Sequence, residues 1–166
     1  MRFFVRVLML ASLLNIAMSA NNGKVIEVFE SPTCGCCDKW VEYMRGKGYT
    51  LKVQKSTEFY KIKEKYNIKS EYQSCHTGVI NGYVLEGHIP LGALEWLLKN
   101  KPKNAIGISA PGMPQGSPGM EQGVYEDYPV ILLLKNGDYE MLGIYNGDKL
   151  VQEGKIEKGR IEKGKK

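Results

Sequence analysis

The sequence predicts an α/β domain with a mixed sheet, flanking helices and a C-terminal β-hairpin extension. Three observations carry that reading. Strand-like and helix-like runs alternate over residues 24–99 in the order β-α-β-α-β-β-α. Two Asn-Gly pairs, Asn81-Gly82 and Asn136-Gly137, lie between strand-like runs, where that dipeptide favours a two-residue hairpin turn. Three of the four cysteines fall within Cys34-Gly35-Cys36-Cys37, between a strand-like run and a helix-like run.

Residues 24–30 read as the first strand. A helix follows over 38–47, with Trp40, Val41 and Met44 on one face and Gly46 and Gly48 at its end. Residues 49–54 read as a strand. Ser56 is placed to cap a helix through Tyr66, with Phe59, Ile62 and Tyr66 at helical spacing. After a connector, Cys75-His76-Thr77 leads into a strand, Asn81-Gly82 turns it, and 83–86 returns. Pro90 opens a helix over 91–99 that buries Leu94, Leu97 and Leu98. Residues 107–121 hold too much Gly and Pro for a helix or a central strand and read as a loop. Residues 130–134 and 139–145 form the second hairpin. A β-α-β start implies a parallel pair with a right-handed crossover, and the first hairpin adds an antiparallel edge. The order is thioredoxin-like, with the cysteine segment where thioredoxins keep C-x-x-C; the likeness is one of fold. In such a fold the loop before the third strand faces the start of the first helix. Cys75 is therefore expected to meet Cys34, Cys36 and Cys37.

The organisation is a leader over 1–20, one domain over 21–148 and a charged flexible tail over 149–166. Arg2 and Arg6 precede an apolar stretch at 7–17, and Ala17-Met18-Ser19-Ala20 offers small residues for cleavage. The stretch falls short of the roughly 20 residues that span a bilayer, so a cleaved secretory signal is preferred to an anchor. The expected location is the periplasm, with membrane contact only through the leader before cleavage. Losing Arg2 and Arg6 lowers the formal net charge from +5 to +3. Much of the remainder sits in the tail, whose pentad Lys155-Ile156-Glu157-Lys158-Gly159 recurs as Arg160-Ile161-Glu162-Lys163-Gly164. No basic stripe is interleaved with aromatics, which argues against a nucleic-acid partner.

The cysteines define the chemistry. A helix start stabilises negative charge, so thiolates form there more readily, and thiolate is the form that binds metals and attacks disulfides. A redox enzyme needs only Cys34 and Cys37, and further thiols would scramble its disulfides. A metal site gains from each added thiolate. Metal binding therefore ranks first, thiol–disulfide exchange second and two plain disulfides third. Zinc would close a Cys/His tetrahedron without thioether, whereas soft thiolate with thioether selects Cu(I). Met113 and Met120, each preceded by glycine, lie in the Gly/Pro loop rather than at apolar positions of an element. They read as thioether ligands, against a bland role as gap-fillers. His88 stands just before the third helix and His76 next to Cys75; they are the chain's two histidines. His76 is the weaker candidate, because neighbours in an extended chain face opposite sides. Met44, Trp40 and Trp96 read as core, and Glu121 as a solvated loop residue. Four thiols, two thioethers and two imidazoles exceed what one Cu(I) takes, which suggests more than one ion.

With those residues in place, the chain resembles the CopG-like family of exported metal-binding proteins linked to bacterial copper homeostasis. The resemblance rests on Cys34-Gly35-Cys36-Cys37 with Trp40, on Ser74-Cys75-His76-Thr77, and on Asn81-Gly82-Tyr83-Val84-Leu85-Glu86-Gly87-His88-Ile89-Pro90. It extends through Pro111-Gly112-Met113-Pro114-Gln115-Gly116-Ser117-Pro118-Gly119-Met120-Glu121. It implies a thioredoxin-like fold, a periplasmic location, and copper bound by the cysteines with Met and His help. Copper ions and other periplasmic copper-handling proteins are the expected partners. Tyr43 departs from the family, many members of which carry histidine in this helix, and the tail lies outside the resemblance.

Overall fold

The computed structural model describes residues 24–154. The expected leader and the repeated pentads of the tail lie outside the described residues.

The chain runs β1 (Val25–Glu30), α1 (Gly35–Gly46), β2 (Thr50–Lys55), α2 (Lys61–Lys65), a 3-10 turn (Ser70–Tyr72), β3 (His76–Ile80) and β4 (Tyr83–Glu86). It continues with α3 (Leu91–Asn100), β5 (Ala105–Ser109), β6 (Asp127–Leu134), β7 (Tyr139–Asn146) and β8 (Lys149–Glu153). The eight strands of the described residues form one sheet in the order β2-β1-β3-β4-β5-β6-β7-β8. β1 is parallel to β2 and β4 to β5; the other neighbours are antiparallel. The fold is mixed α/β, as expected, with a sheet larger than a thioredoxin-like domain implies.

Both faces of the sheet are covered. Alternate residues of a strand point to opposite faces, and β6 shows it plainly. Val130 and Leu132 join the core under α1 and α3, with Ile26, Val28, Trp40, Met44, Leu94 and Leu97. Ile131 and Leu133 join a smaller cluster on Ile68 and Val84, against which Tyr66 and Tyr72 pack.

Four expectations need correction. Residues 105–109 form a strand, so the Gly/Pro loop starts later than expected and the β3–β4 hairpin is interior rather than an edge. Gly107 disguised that strand: it stands where a Cβ would collide with the Val84 carbonyl, beside a register shift between Ala105 and Gly107. The helix expected from Ser56 is confined to Lys61–Lys65, because the Ser56 hydroxyl accepts from the Glu58 N–H and turns the chain first. Its buried residue is Lys63, not Phe59, Ile62 or Tyr66. Finally, Lys149–Glu153, expected to begin the tail, adds an exposed strand to β7. Among the described residues, no helix is long and apolar enough to cross a membrane.

The topology gathers four segments at one end of the sheet. β1 ends at Glu30 opposite the start of β3 at His76. β4 ends at Glu86 opposite Thr77, and β5 ends at Ser109 beside Glu86. The loop after β1, the approach to β3, the exit from β4 and the exit from β5 therefore share one end.

Candidate metal centre

Cys34 caps α1 by position, without a side-chain hydrogen bond of its own, and Cys36 and Cys37 occupy the first turn. Their sulfurs therefore sit at the positive end of a twelve-residue helix. Cys75 enters from the approach to β3. The ligand atoms of Cys34, Cys36, Cys37 and Cys75 all lie within 4.8 Å of one another. This is the meeting expected of the fourth cysteine. Cys34 and Cys37 are joined by a disulfide, and Cys36 and Cys75 are free thiols. The Cys36 sulfur lies 3.5 Å from that of Cys34.

Both histidines face Cys75, which joins His76 and His88 in a second set of possible ligands within 4.8 Å. The Nε2 atom of His88 is 3.1 Å from the Cys75 sulfur, and its Nδ1 is 2.7 Å from the Pro118 carbonyl. A carbonyl can only accept, so Nδ1 carries the proton and Nε2 presents a lone pair toward the sulfur. That arrangement, with the far nitrogen held by a carbonyl, orients metal-binding imidazoles. The Nδ1 atom of His76 is 3.4 Å from the same sulfur, while its Nε2 is buried without a partner. Its ring lies against Trp40, centroids 4.6 Å apart. Covalent adjacency to Cys75 did not turn the His76 side chain away.

Burial sets the protonation states. It lowers both imidazoles below the usual histidine range; for His76, the neighbouring His88 and Lys63 add to the effect. Burial, reinforced by Cys36, pushes the Cys75 thiol up to about 12. The site is thus neutral imidazole beside neutral thiol, and a bound cation would displace the Cys75 proton.

The two methionines part company. Met120 is buried, in a turn where its N–H donates to the Ser117 carbonyl and its carbonyl accepts from the Gly116 N–H. Gly119 brings this turn onto α1: with φ +87°, it stands where a Cβ would lie 2.7 Å from the Trp40 nitrogen and 3.0 Å from the Cys36 carbonyl oxygen. Met113 is half exposed, one residue beyond Gly112, whose carbonyl accepts from the Ser74 hydroxyl. Glu121 is exposed, as expected, yet its carboxylate accepts from the Gly119 N–H. Tyr43 serves α3: its hydroxyl accepts from the Leu91 N–H and donates to Asp148. Trp40 is core, its indole N–H donating to the Ile89 carbonyl.

Sequence reasoning missed three buried ionisable side chains beside the site. Glu86 and Lys63 form a buried ion pair. Glu30, at the end of β1, is fully buried and neither carboxylate oxygen has a hydrogen-bond partner. Lys55 approaches to 3.4 Å but spends its hydrogen bonds on Asp38, at 2.7 and 2.9 Å. Burial, and then Asp38, raise the Glu30 pKa against the pull of Lys55. A raised carboxyl pKa means that the fold favours the protonated form. The contribution is therefore complete in acid and lost as pH rises through the folded-state value. Glu30→Gln should melt higher than wild type at pH 8 and lose that advantage below the ordinary carboxyl value of 4.5. Thermal unfolding across pH 4–8 checks it; a lower Tm for the variant at pH 8 would mean that Lys55 outweighs burial.

Comparison with known proteins agrees with the composition of the site. Residues 72–120, which hold Cys75, both histidines and both loop methionines, match the model of a family described as a protein of unknown function, DUF411. No curated protein matches the chain. Two solved structures do, both named copper resistance protein CopG. Form 2 is 33% identical with a TM-score of 0.69, covering 73% of this chain and 97% of its own. Form 1 has the same identity and TM-score, covering 74% of this chain and 98% of its own. At that identity, and over nearly the full length of those proteins, the likeness goes beyond fold: the chain belongs to the CopG-like family of copper resistance proteins.

Proposed function

We propose that this protein binds Cu(I) at the cysteine cluster and sequesters it, hands it on or handles its redox state during copper stress. One observation carries the reading: three separate segments deliver four sulfurs and an oriented imidazole nitrogen to one place. Cys34, Cys36 and Cys37 come from the helix start, Cys75 from the approach to β3 and His88 from the exit of β4. Soft sulfur donors favour Cu(I) over harder cations. Cys34, Cys36, Cys37 and Cys75 form the thiolate core, with His88 Nε2 beside it. Met120, His76 and Met113 are further donors or covers, and the donor number favours more than one ion. Copper is the cargo here, and other periplasmic copper-handling proteins are the proposed donors or acceptors. The periplasmic location is proposed from the leader-like residues 1–20.

The Cys34–Cys37 disulfide supports a second reading, thiol–disulfide exchange with protein partners. Reduction takes two electrons and two protons and turns two free thiols into four, so the oxidised chain offers half of the sulfur set.

The deciding experiment uses the chain from Asn21, reduced and loaded anaerobically with Cu(I). Copper per chain and free thiols are then counted together. Two or more retained copper ions with all four thiols protected is the expected result. No retained copper, with a Cys34–Cys37 disulfide that exchanges readily, would replace the copper reading with the oxidoreductase one.

A further inference from the structure

Lys63, Thr77 and Glu86 form a closed polar cluster within the fold. Lys63 is 3% exposed, and Thr77 and Glu86 are 0% exposed. The Lys63 ammonium donates to Glu86 Oε1 and, at 2.9 Å, to the Thr77 hydroxyl. That hydroxyl donates to Glu86 Oε2 at 2.6 Å. Glu86 Oε1 also accepts, at 2.7 Å, from the backbone N–H of Ser74, the residue before Cys75.

We infer that this cluster is a tether that positions Cys75: by holding the Ser74 N–H, Glu86 fixes where the chain presents the Cys75 sulfur to the other three. A buried ion pair is a weak source of stability, since apolar residues of similar volume often serve as well. The use of this one lies in what else the carboxylate binds. Ser74 stands outside the β3–β4 ladder, which ends at Thr77 and Glu86. It is clamped from three sides. Glu86 takes its N–H. Gly87, at φ +78°, leaves bare the space that a Cβ would contest with the Ser74 hydroxyl. That hydroxyl donates to the Gly112 carbonyl. Glu86 also stands two residues before His88, so one side chain ties the Cys75 and His88 segments together. Lys63 holds the carboxylate in place.

The tether rests on the copper reading for its purpose, and its test separates the two. Lys63→Met/Glu86→Leu removes the acceptor for Ser74. Lys63→Met/Glu86→Gln keeps an amide oxygen there. In the reduced, metal-free chain, alkylation of each cysteine by iodoacetamide is followed by mass spectrometry; Cu(I) affinity is read by competition with a chromogenic chelator. In the Leu pair, Cys75 should alkylate and Cu(I) should be lost about tenfold more readily, the lower range for removing an outer-shell partner. The Gln pair should stay near wild type in both. A folded Leu pair with wild-type Cys75 reactivity and copper affinity overturns the tether, as does a Gln pair as compromised as the Leu pair. Wild type that holds no Cu(I) ends the copper reading, and Cys75 reactivity still decides the tether. Should the Leu pair fail to fold, hydrogen exchange of the wild-type Ser74 amide decides. Protection equal to that of the β3 and β4 amides supports the tether, and exchange as fast as in an open loop overturns it.

Discussion

Replacing Cys36 and Cys75 together by serine should weaken Cu(I) binding by more than about a hundredfold, since loss of outer-shell partners alone costs roughly ten- to a hundredfold. Serine keeps the size of the side chain and exchanges a soft sulfur for a hard oxygen that Cu(I) does not favour. Both positions are part-buried free thiols, so the change removes no disulfide. Cys36 lies 3.5 Å from the Cys34 sulfur and Cys75 lies 3.1 Å from His88 Nε2, so the variant strips sulfur from both sides of the cluster. Cys34 and Cys37 remain to exchange disulfides, and catalysed reduction of a model disulfide should continue. Chelator competition and that exchange assay, run on the same preparation, separate the two proposed functions. Wild-type copper stoichiometry and affinity in the variant would remove Cys36 and Cys75 from the site.

Much of this centre was legible in the sequence because spacing and topology carry it. Cys34, Cys36 and Cys37 are placed by a strand-to-helix junction, and the order of elements, read by analogy with a thioredoxin-like fold, brings Cys75 to meet them. Tertiary packing decided the rest. His76 looked ready to turn away, since alternation governs side chains along a strand; instead its ring packs against Trp40 and reaches the Cys75 sulfur. Met113 and Met120 look equivalent in a Gly/Pro loop. Gly119 packs against the backbone of α1 and Met120 beside it is buried, while Met113 stays half exposed. β5 was hidden because its central glycine, needed for the close approach to Val84, also breaks the strand pattern. Lys63 was invisible for a different reason. Among Lys61, Lys63 and Lys65, nothing local distinguishes the one that meets Glu86, 23 residues further along the chain.

Lys63→Met alone should be worse for the fold than Lys63→Met/Glu86→Leu. The single change leaves the Glu86 carboxylate at zero exposure with two neutral donors, the Thr77 hydroxyl and the Ser74 N–H, and no cation. Breaking one side of a buried pair costs about 3–5 kcal/mol, whereas apolar replacement of both sides is often close to neutral. For a chain of this size the single variant should lose on the order of 10 °C in Tm, with the double variant recovering most of it. The order of these two melting points carries the argument. If the pair existed for stability, removing both partners would cost at least as much as removing one. If it exists to hold Ser74, the double variant can melt near wild type and still present Cys75 badly. Near-native Tm with weakened copper binding in one protein would separate the energetics of folding from the geometry of the site. Equal losses of Tm in the single and double variants would make the pair an ordinary support of the fold.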